Sequence, residues 1–192
     1  SDLDKNLEEK LKLFKPDVVF NALHGRFGED GYAQTILEHH KIKYTHSGVL
    51  SSALAMDKLA SKKIFKENNL LTPKFIKLKN NLEVNSNLIH KIRKKLKFPV
   101  VVKPINEGSS VGVYISSEKN LKENLIKLKK YKEVIIEEFI NGREIQVAIL
   151  GKKKLGAIEL KPKRKFYDYK AKYDIKSKTE HIIPANLTKK NL

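Results

Sequence analysis

Residues 98–115 read FPVVVKPINEGSSVGVYI. Two apolar runs with the length and composition of buried strands flank a loop, and Lys103 closes the first of them. Within the loop Gly108 permits close backbone approach, Ser109 and Ser110 add hydroxyl donors, and Gly112 relieves the start of the second strand. A loop of this kind presents several N–H groups to an anion. A lysine at the end of a rigid strand adds a point charge suited to a phosphate oxygen. On spacing alone, a lysine snorkelling from a strand end explains Lys103 equally well. The loop is not a P-loop, because the spacing to a following lysine and hydroxyl is wrong and no helix follows directly.

Upstream, Leu3, Leu7, Leu11 and Phe14 recur at helical spacing, so the opening segment reads as an amphipathic helix stopping before Pro16. "DVVFNAL" is a short strand that runs into "HGRFGEDG", a loop with three glycines and an acidic pair, and "YAQTILEHH" is a second helix. Helix, strand, loop and helix in this order form part of a doubly wound unit, in which ligands sit beyond the carboxyl ends of strands. "IKYTHSGV" is a further strand and turn. Ser51 or Ser52 is expected to cap one helical stretch running through Asn69. "PKFIKL" is a strand, residues 84–97 a helix, and Leu121, Leu125 and Leu128 mark a helix started by Ser117. "EVIIEEFI" and "REIQVAIL" flank Asn141-Gly142, which predicts a hairpin, and a second hairpin is expected through Gly151 into "KLGAIELK". The run 162–175 mixes four aromatics with lysines and has no clear periodicity; long connections of this type are functional or disordered.

The 192 residues, 40% of them hydrophobic, can fill a real core. Cysteine is absent, which excludes disulfides and thiolate chemistry and fits a reducing cytoplasmic setting. No apolar run approaches the roughly 20 residues that span a bilayer, and the first residues lack a signal core, so no membrane association is expected. The net charge of +18 invites a nucleic-acid reading. However, only Arg26, Arg93, Arg143 and Arg164 are arginines, and the lysines are spread over most segments. A solvated, compositionally biased surface is therefore favoured over nucleic-acid binding.

Glu137 and Glu138 end a strand and Glu144 begins the next. Alternation sends the first two to opposite faces, so they do not form a catalytic carboxylate pair. Either an edge decorated with solvated charges or acceptors for a nucleotide's amino and ribose groups is consistent with them. The histidines show no metal-ligand spacing, and no Gly-x-Ser-x-Gly elbow supports a serine hydrolase. His24 stands apart because it sits at a strand end, where substrates bind.

Taken together, "HGRFGEDG", "SGVLSSALAMDKLASK", "FPVVVKPINEGSSVGV", "VIIEEFINGREI" and "FYDYKAKY" resemble, in order and spacing, the D-alanine-D-alanine ligases of the ATP-grasp superfamily. The resemblance covers nearly the whole chain. It implies an α/β (α+β ATP-grasp) fold: a partial doubly wound N-terminal substrate domain over 1–46, a central ATP-grasp subdomain over 47–141, and a partial C-terminal subdomain with an active-site loop over 142–192. It further implies ATP-dependent joining of two D-alanines through an acyl phosphate, for peptidoglycan precursors, by a cytoplasmic homodimer.

By the same resemblance Lys58 and Lys103 contact the ATP phosphates, beside Gly108 and Ser110. Glu137, Glu138 and the backbone near Ile140 line the adenine pocket, although some relatives carry lysine at position 138, and Glu144 binds the ribose. His24 faces the first D-alanine. Ser109 and Tyr173 join a network closing the 162–175 loop, Lys172 reaches toward phosphates or the second substrate, and Phe166 covers the nucleotide. Family members run on beyond both ends of this chain. Neither the glutamate that holds the first ammonium nor the Mg²⁺ ligands, expected beyond Leu192, fall within it, so no residue here is assigned as a metal ligand and the chain alone is expected to be catalytically incomplete. Competing readings are another carboxylate-amine ligase, a nucleic-acid-binding module, and a nucleotide-binding remnant.

Overall fold

A computed structural model describes residues 7–79, 84–162 and 179–188. The chain divides into two compact units, one ending at Phe139 and one beginning at Ile140.

The first unit opens with helix α1 (Leu7–Phe14), whose Leu11 is its buried contact. Strand β1 (Val18–Val19) then leads through the glycine loop to α2 (Tyr32–His39), and β2 (Lys43–Tyr44) pairs with β1 in parallel. A strand, a helix and a parallel strand in sequence form the crossover unit expected from the pattern. Two helices follow where the sequence suggests one: α3 (Val49–Met56) and α4 (Lys58–Glu67). Asp57 separates them. Its backbone is extended and its Oδ1 accepts from Leu59 N at 2.8 Å and Ala60 N at 2.9 Å, so it breaks the first helix and caps the second. The capping role expected of Ser51 or Ser52 is thus taken by an aspartate inside "AMDK".

A four-stranded antiparallel sheet comes next, built from β3 (Phe75–Lys79), β4 (Val100–Pro104), β5 (Tyr114–Ser116) and β6 (Glu133–Glu138) in the order β3-β6-β4-β5. Helices α5 (Ser86–Lys95) and α6 (Leu121–Lys127) complete the unit. The register places Ile76 opposite Ile136, Leu78 opposite Val134 and Val102 opposite Ile136, so one face of the sheet is continuously aliphatic. Ile92 and Leu96, with Leu121, Leu125 and Leu128, close over that face to make the main core. The other face is different. Lys103 stands opposite Ile135, two residues from Glu137 on the same strand, which makes Lys103 and Glu137 diagonal neighbours.

In the second unit β7 (Glu144–Leu150) turns through Gly151 into β8 (Lys153–Lys161), and β8 pairs with β9 (Glu180–Ile182). The Gly151 hairpin forms as expected. The Asn141-Gly142 hairpin does not: β6 pairs with β3 and β4, while β7 pairs with β8. The local turn preference is overridden because β6 is buried between two other partners and has no free edge to offer. Among the described residues no helix is long and apolar enough to cross a membrane.

Gly112 is required twice over. Its φ is +70°, and a Cβ there would lie 2.9 Å from Pro104 Cγ and 3.0 Å from Leu128 Cδ2. Gly112→Ala is expected to destabilise the fold by about 1–3 kcal/mol through strain and overpacking, measured by chemical denaturation; an unchanged midpoint would contradict this account.

Candidate functional site

The first half of the site is the loop after β1. Asn21 Nδ2 and Gln34 Nε2 both donate to Gly28 O, at 2.8 and 2.9 Å, and both side chains are buried. Glu29 turns back so that its carboxylate accepts from Gly25 N, and Glu29 N donates to Gly25 O at 2.9 Å. The acidic pair is therefore structural in part: Glu29 staples the loop, and Asp30 accepts from Tyr32 N at 3.2 Å at the entry to α2. This frame holds His24 on the wall of a cleft of about 390 Å³ that Gln34, Ser47 and Ser52 also line. Gln34 Oε1, buried on α2, has no hydrogen-bond donor among the described residues.

The second half is the loop from Ile105 to Val113. Ser109 and Ser110 adopt φ values of 48° and 61°, consecutive left-handed conformations that cost energy in non-glycine residues. Val111 N donates to Gly108 O at 2.9 Å, and Val113 N to Ser110 O at 3.3 Å, which closes the turn. A Cβ on Gly108 would lie 3.0 Å from Gly25 Cα, so this loop and the His24 loop meet backbone to backbone. That approach explains the glycine at 108 independently of any ligand.

Lysines converge beneath this loop. Lys58, at the start of α4, donates through Nζ to Glu107 O at 2.5 Å and Ile105 O at 3.2 Å. Lys103 Nζ lies 2.5 Å from Glu137 Oε2, and Lys62 Nζ lies 2.8 Å from Glu137 Oε1. The Lys62 contact with Oε1 is a charge contact and not a directed hydrogen bond. Glu137 is only 4% exposed, so the solvated-edge reading of this glutamate fails and it is an internal counter-ion. Glu138 points elsewhere and accepts from Lys74 N at 2.8 Å. The separation of the two glutamates follows from strand alternation.

Lys62 and Lys103 share the buried Glu137 carboxylate, and Lys58, held by the backbone carbonyls of Ile105 and Glu107 and within the field of Lys103, Glu137, Glu107 and Asp57, stands beside the glycine-serine loop. Burial, followed by repulsion from Lys103, lowers the Lys58 pKa from 10.5 to about 8. A cluster that already resists holding its positive charges fits an anion as its missing partner. The residues present thus suit a polyphosphate.

Of the residues singled out in the sequence, Lys58, Lys103, Gly108, Ser109, Ser110 and Glu137 come together, with His24 on the adjoining loop. Ile140 and Glu144 belong to the second unit, where Ile140 is exposed and Glu144 begins β7. Phe166, Lys172 and Tyr173 lie outside the described residues. Lys62 escaped the sequence reading. Lys58 and Lys62 are four residues apart and share a helix face, but that spacing does not single Lys62 out from the chain's other lysines. Among the described residues no group of three or more acidic or histidine side chains is arranged to hold a metal ion.

The family model for the D-ala D-ala ligase C-terminus matches residues 64–192. A D-alanine–D-alanine ligase of Pelagibacter ubique is 63% identical over 192 residues, covering 100% of this chain and 63% of that protein. One from Wolbachia pipientis wMel is 44% identical, covering 97% and 58%. Among solved structures, a Bacillus anthracis D-alanine–D-alanine ligase complexed with ATP superimposes with a TM-score of 0.73 at 31% identity, covering 96% of this chain and 58% of that one. The VanG D-Ala:D-Ser ligase of Enterococcus faecalis gives 0.73 at 32% identity, covering 91% and 51%. The chain spans about three-fifths of the length of the curated relatives it matches.

The lowered Lys58 pKa carries a pH dependence. Below about pH 8 the ammonium is present, its burial costs stability, and a bound phosphate offsets that cost; above it the charge is lost. ATP affinity is therefore expected to fall as pH rises through about 8, by at most about tenfold per unit, with the slope absent in Lys58→Met. Calorimetric titration from pH 7 to 9.5 measures it, and a flat wild-type profile would remove Lys58 from the phosphate site.

Proposed function

The chain belongs to the D-ala D-ala ligase C-terminus family, and we propose from that membership that it supplies the phosphate-binding wall and part of the first-substrate wall of an ATP-dependent D-alanine-D-alanine ligase. The observation that supports this most directly is the placement of two lysines at the Gly108–Ser110 loop, Lys58 on the loop's own carbonyls at Ile105 and Glu107 and Lys103 on the buried Glu137 carboxylate.

In this reading the carboxylate of the first D-alanine attacks the γ-phosphorus of ATP, the bond to ADP breaks, and an acyl phosphate forms. The amine of the second D-alanine then attacks the acyl carbon, phosphate leaves, and the amine proton passes to phosphate or solvent. Such a division turns a poor electrophile into a good one. Lys58 and Lys103 hold the phosphates and offset charge that moves toward ADP during transfer. Because α4 and β4 fix the backbone at both lysines before ligand arrives, only side-chain movement accompanies nucleotide binding. His24 faces the first substrate from the neighbouring loop. Mg²⁺ would neutralise further phosphate charge through ligands outside the described residues. Glu144, Phe166, Lys172 and Tyr173 keep the roles the resemblance implies. The complete protein would act as a cytoplasmic homodimer in peptidoglycan precursor synthesis.

The likeness to a D-Ala:D-Ser ligase makes the second substrate the point most in need of measurement. The complete protein, given ATP with D-alanine and D-serine in competition, is expected to release phosphate and form D-alanyl-D-alanine as the main product. Absence of ATP-dependent dipeptide would overturn the proposal. Lys103→Ala is expected to weaken ATP binding by about tenfold or more, the scale of one charged contact; unchanged affinity would exclude Lys103 from the nucleotide site.

A further inference from the structure

We infer that Lys62 is a positioning residue for the nucleotide: it acts as the permanent counter-ion of Glu137 and thereby leaves Lys103 free to turn its charge to phosphate. The inference rests on the reading of Lys103 as a phosphate ligand.

The two lysines that meet Glu137 are unequal. Lys62 is buried, with 7% side-chain exposure, against 22% for Lys103. The Lys62 ammonium donates to Thr72 Oγ1 at 2.7 Å and Pro73 O at 2.8 Å and makes a charge contact with Glu137 Oε1 at 2.8 Å. The Phe75 ring, its centroid 5.2 Å from Nζ, closes another side. An ammonium in such a cage has no rotamer that reaches solvent without stranding buried acceptors. Lys103, by contrast, stands near the end of β4, and its ion-pair partner among the described residues is Glu137.

When a phosphate arrives, Lys103 must loosen its hold on a carboxylate that is almost fully buried. A buried carboxylate left without a counter-ion is strongly unfavourable. With Lys62 in place, Glu137 stays neutralised through Oε1 while Lys103 leaves Oε2. Without Lys62, the carboxylate would retain Lys103 as its one remaining counter-ion, and the phosphate site would lose that charge although the residue is intact. Lys62 thus affects the nucleotide without touching it.

The effect can be isolated in the complete protein with a double-variant cycle. Lys62→Met is expected to raise the Kd and KM for ATP about tenfold while the KM for D-alanine stays within about twofold. In a Glu137→Gln background, where no carboxylate remains to retain Lys103, the same change is expected to alter the ATP Kd by less than about twofold. Lys62→Gln, which keeps a donor for Thr72 or Pro73 but removes the charge, should repeat both results should the Met variant not fold. Equal losses in the two backgrounds, no loss in the first, or a lowered melting temperature with an unaltered ratio of the two KM values would each overturn the inference. A wild-type protein that binds no ATP would instead overturn the functional reading itself.

Discussion

Glu137 is where the packing and the chemistry of the first unit meet. Its strand, β6, is flanked by β3 and β4 and is the most enclosed of the four, so a charged side chain there has no route to water. Burying a carboxylate in that position is tolerable only if opposite charge is brought in with it. Lys62 comes from α4 and Lys103 from β4, so the requirement ties a helix and a neighbouring strand to one point on the sheet. Removing a partner from such a pair costs on the order of 3–5 kcal/mol. The aliphatic face holds α5 and α6 by area, which is non-directional; the charged face holds α4 by geometry, which is directional. The site owes its precision to the second kind of contact.

Much of this was legible in the sequence because the local signals agreed with the fold. "FPVVV" and "VGVYI" are strands, the loop between them is irregular, and Gly151 turns a hairpin, each for reasons present within a few residues. The failures share one cause. Asn141-Gly142 is a strong hairpin signal whose outcome depended on whether β6 had a free edge, and residues 75 and 101 decide that. In sequence the helix around "AMDK" reads as continuous because Asp57 carries no breaking propensity comparable to proline; its extended backbone and its bonds to Leu59 and Ala60 make the break.

The same distinction separates what was visible of the site from what was not. Lys103 could be proposed because its neighbours on the chain announce a strand end and a loop. Whether Glu137 was a solvated decoration or a buried counter-ion could not be decided from alternation, since alternation assigns faces and not depth. Lys62 was invisible for a further reason. In a chain with 40 Lys and Arg, one more lysine on a helix face carries no information by identity.

Depth restores that information. Lys62 is the only buried lysine or arginine among the described residues, although the chain carries a charge of +18. A compositional preference for lysine acts at positions where the ammonium stays in water, because there the substitution is nearly neutral. It cannot account for a lysine whose ammonium donates to Thr72 and Pro73 and faces the Glu137 carboxylate inside the fold, for which desolvation alone would select against the charge. The basic surface that first suggests a nucleic-acid partner and the basic cluster that suits a nucleotide therefore arise from different constraints. The first is set by bulk composition; the second is set by one buried carboxylate and by the need to keep it neutral while a neighbouring lysine is used elsewhere.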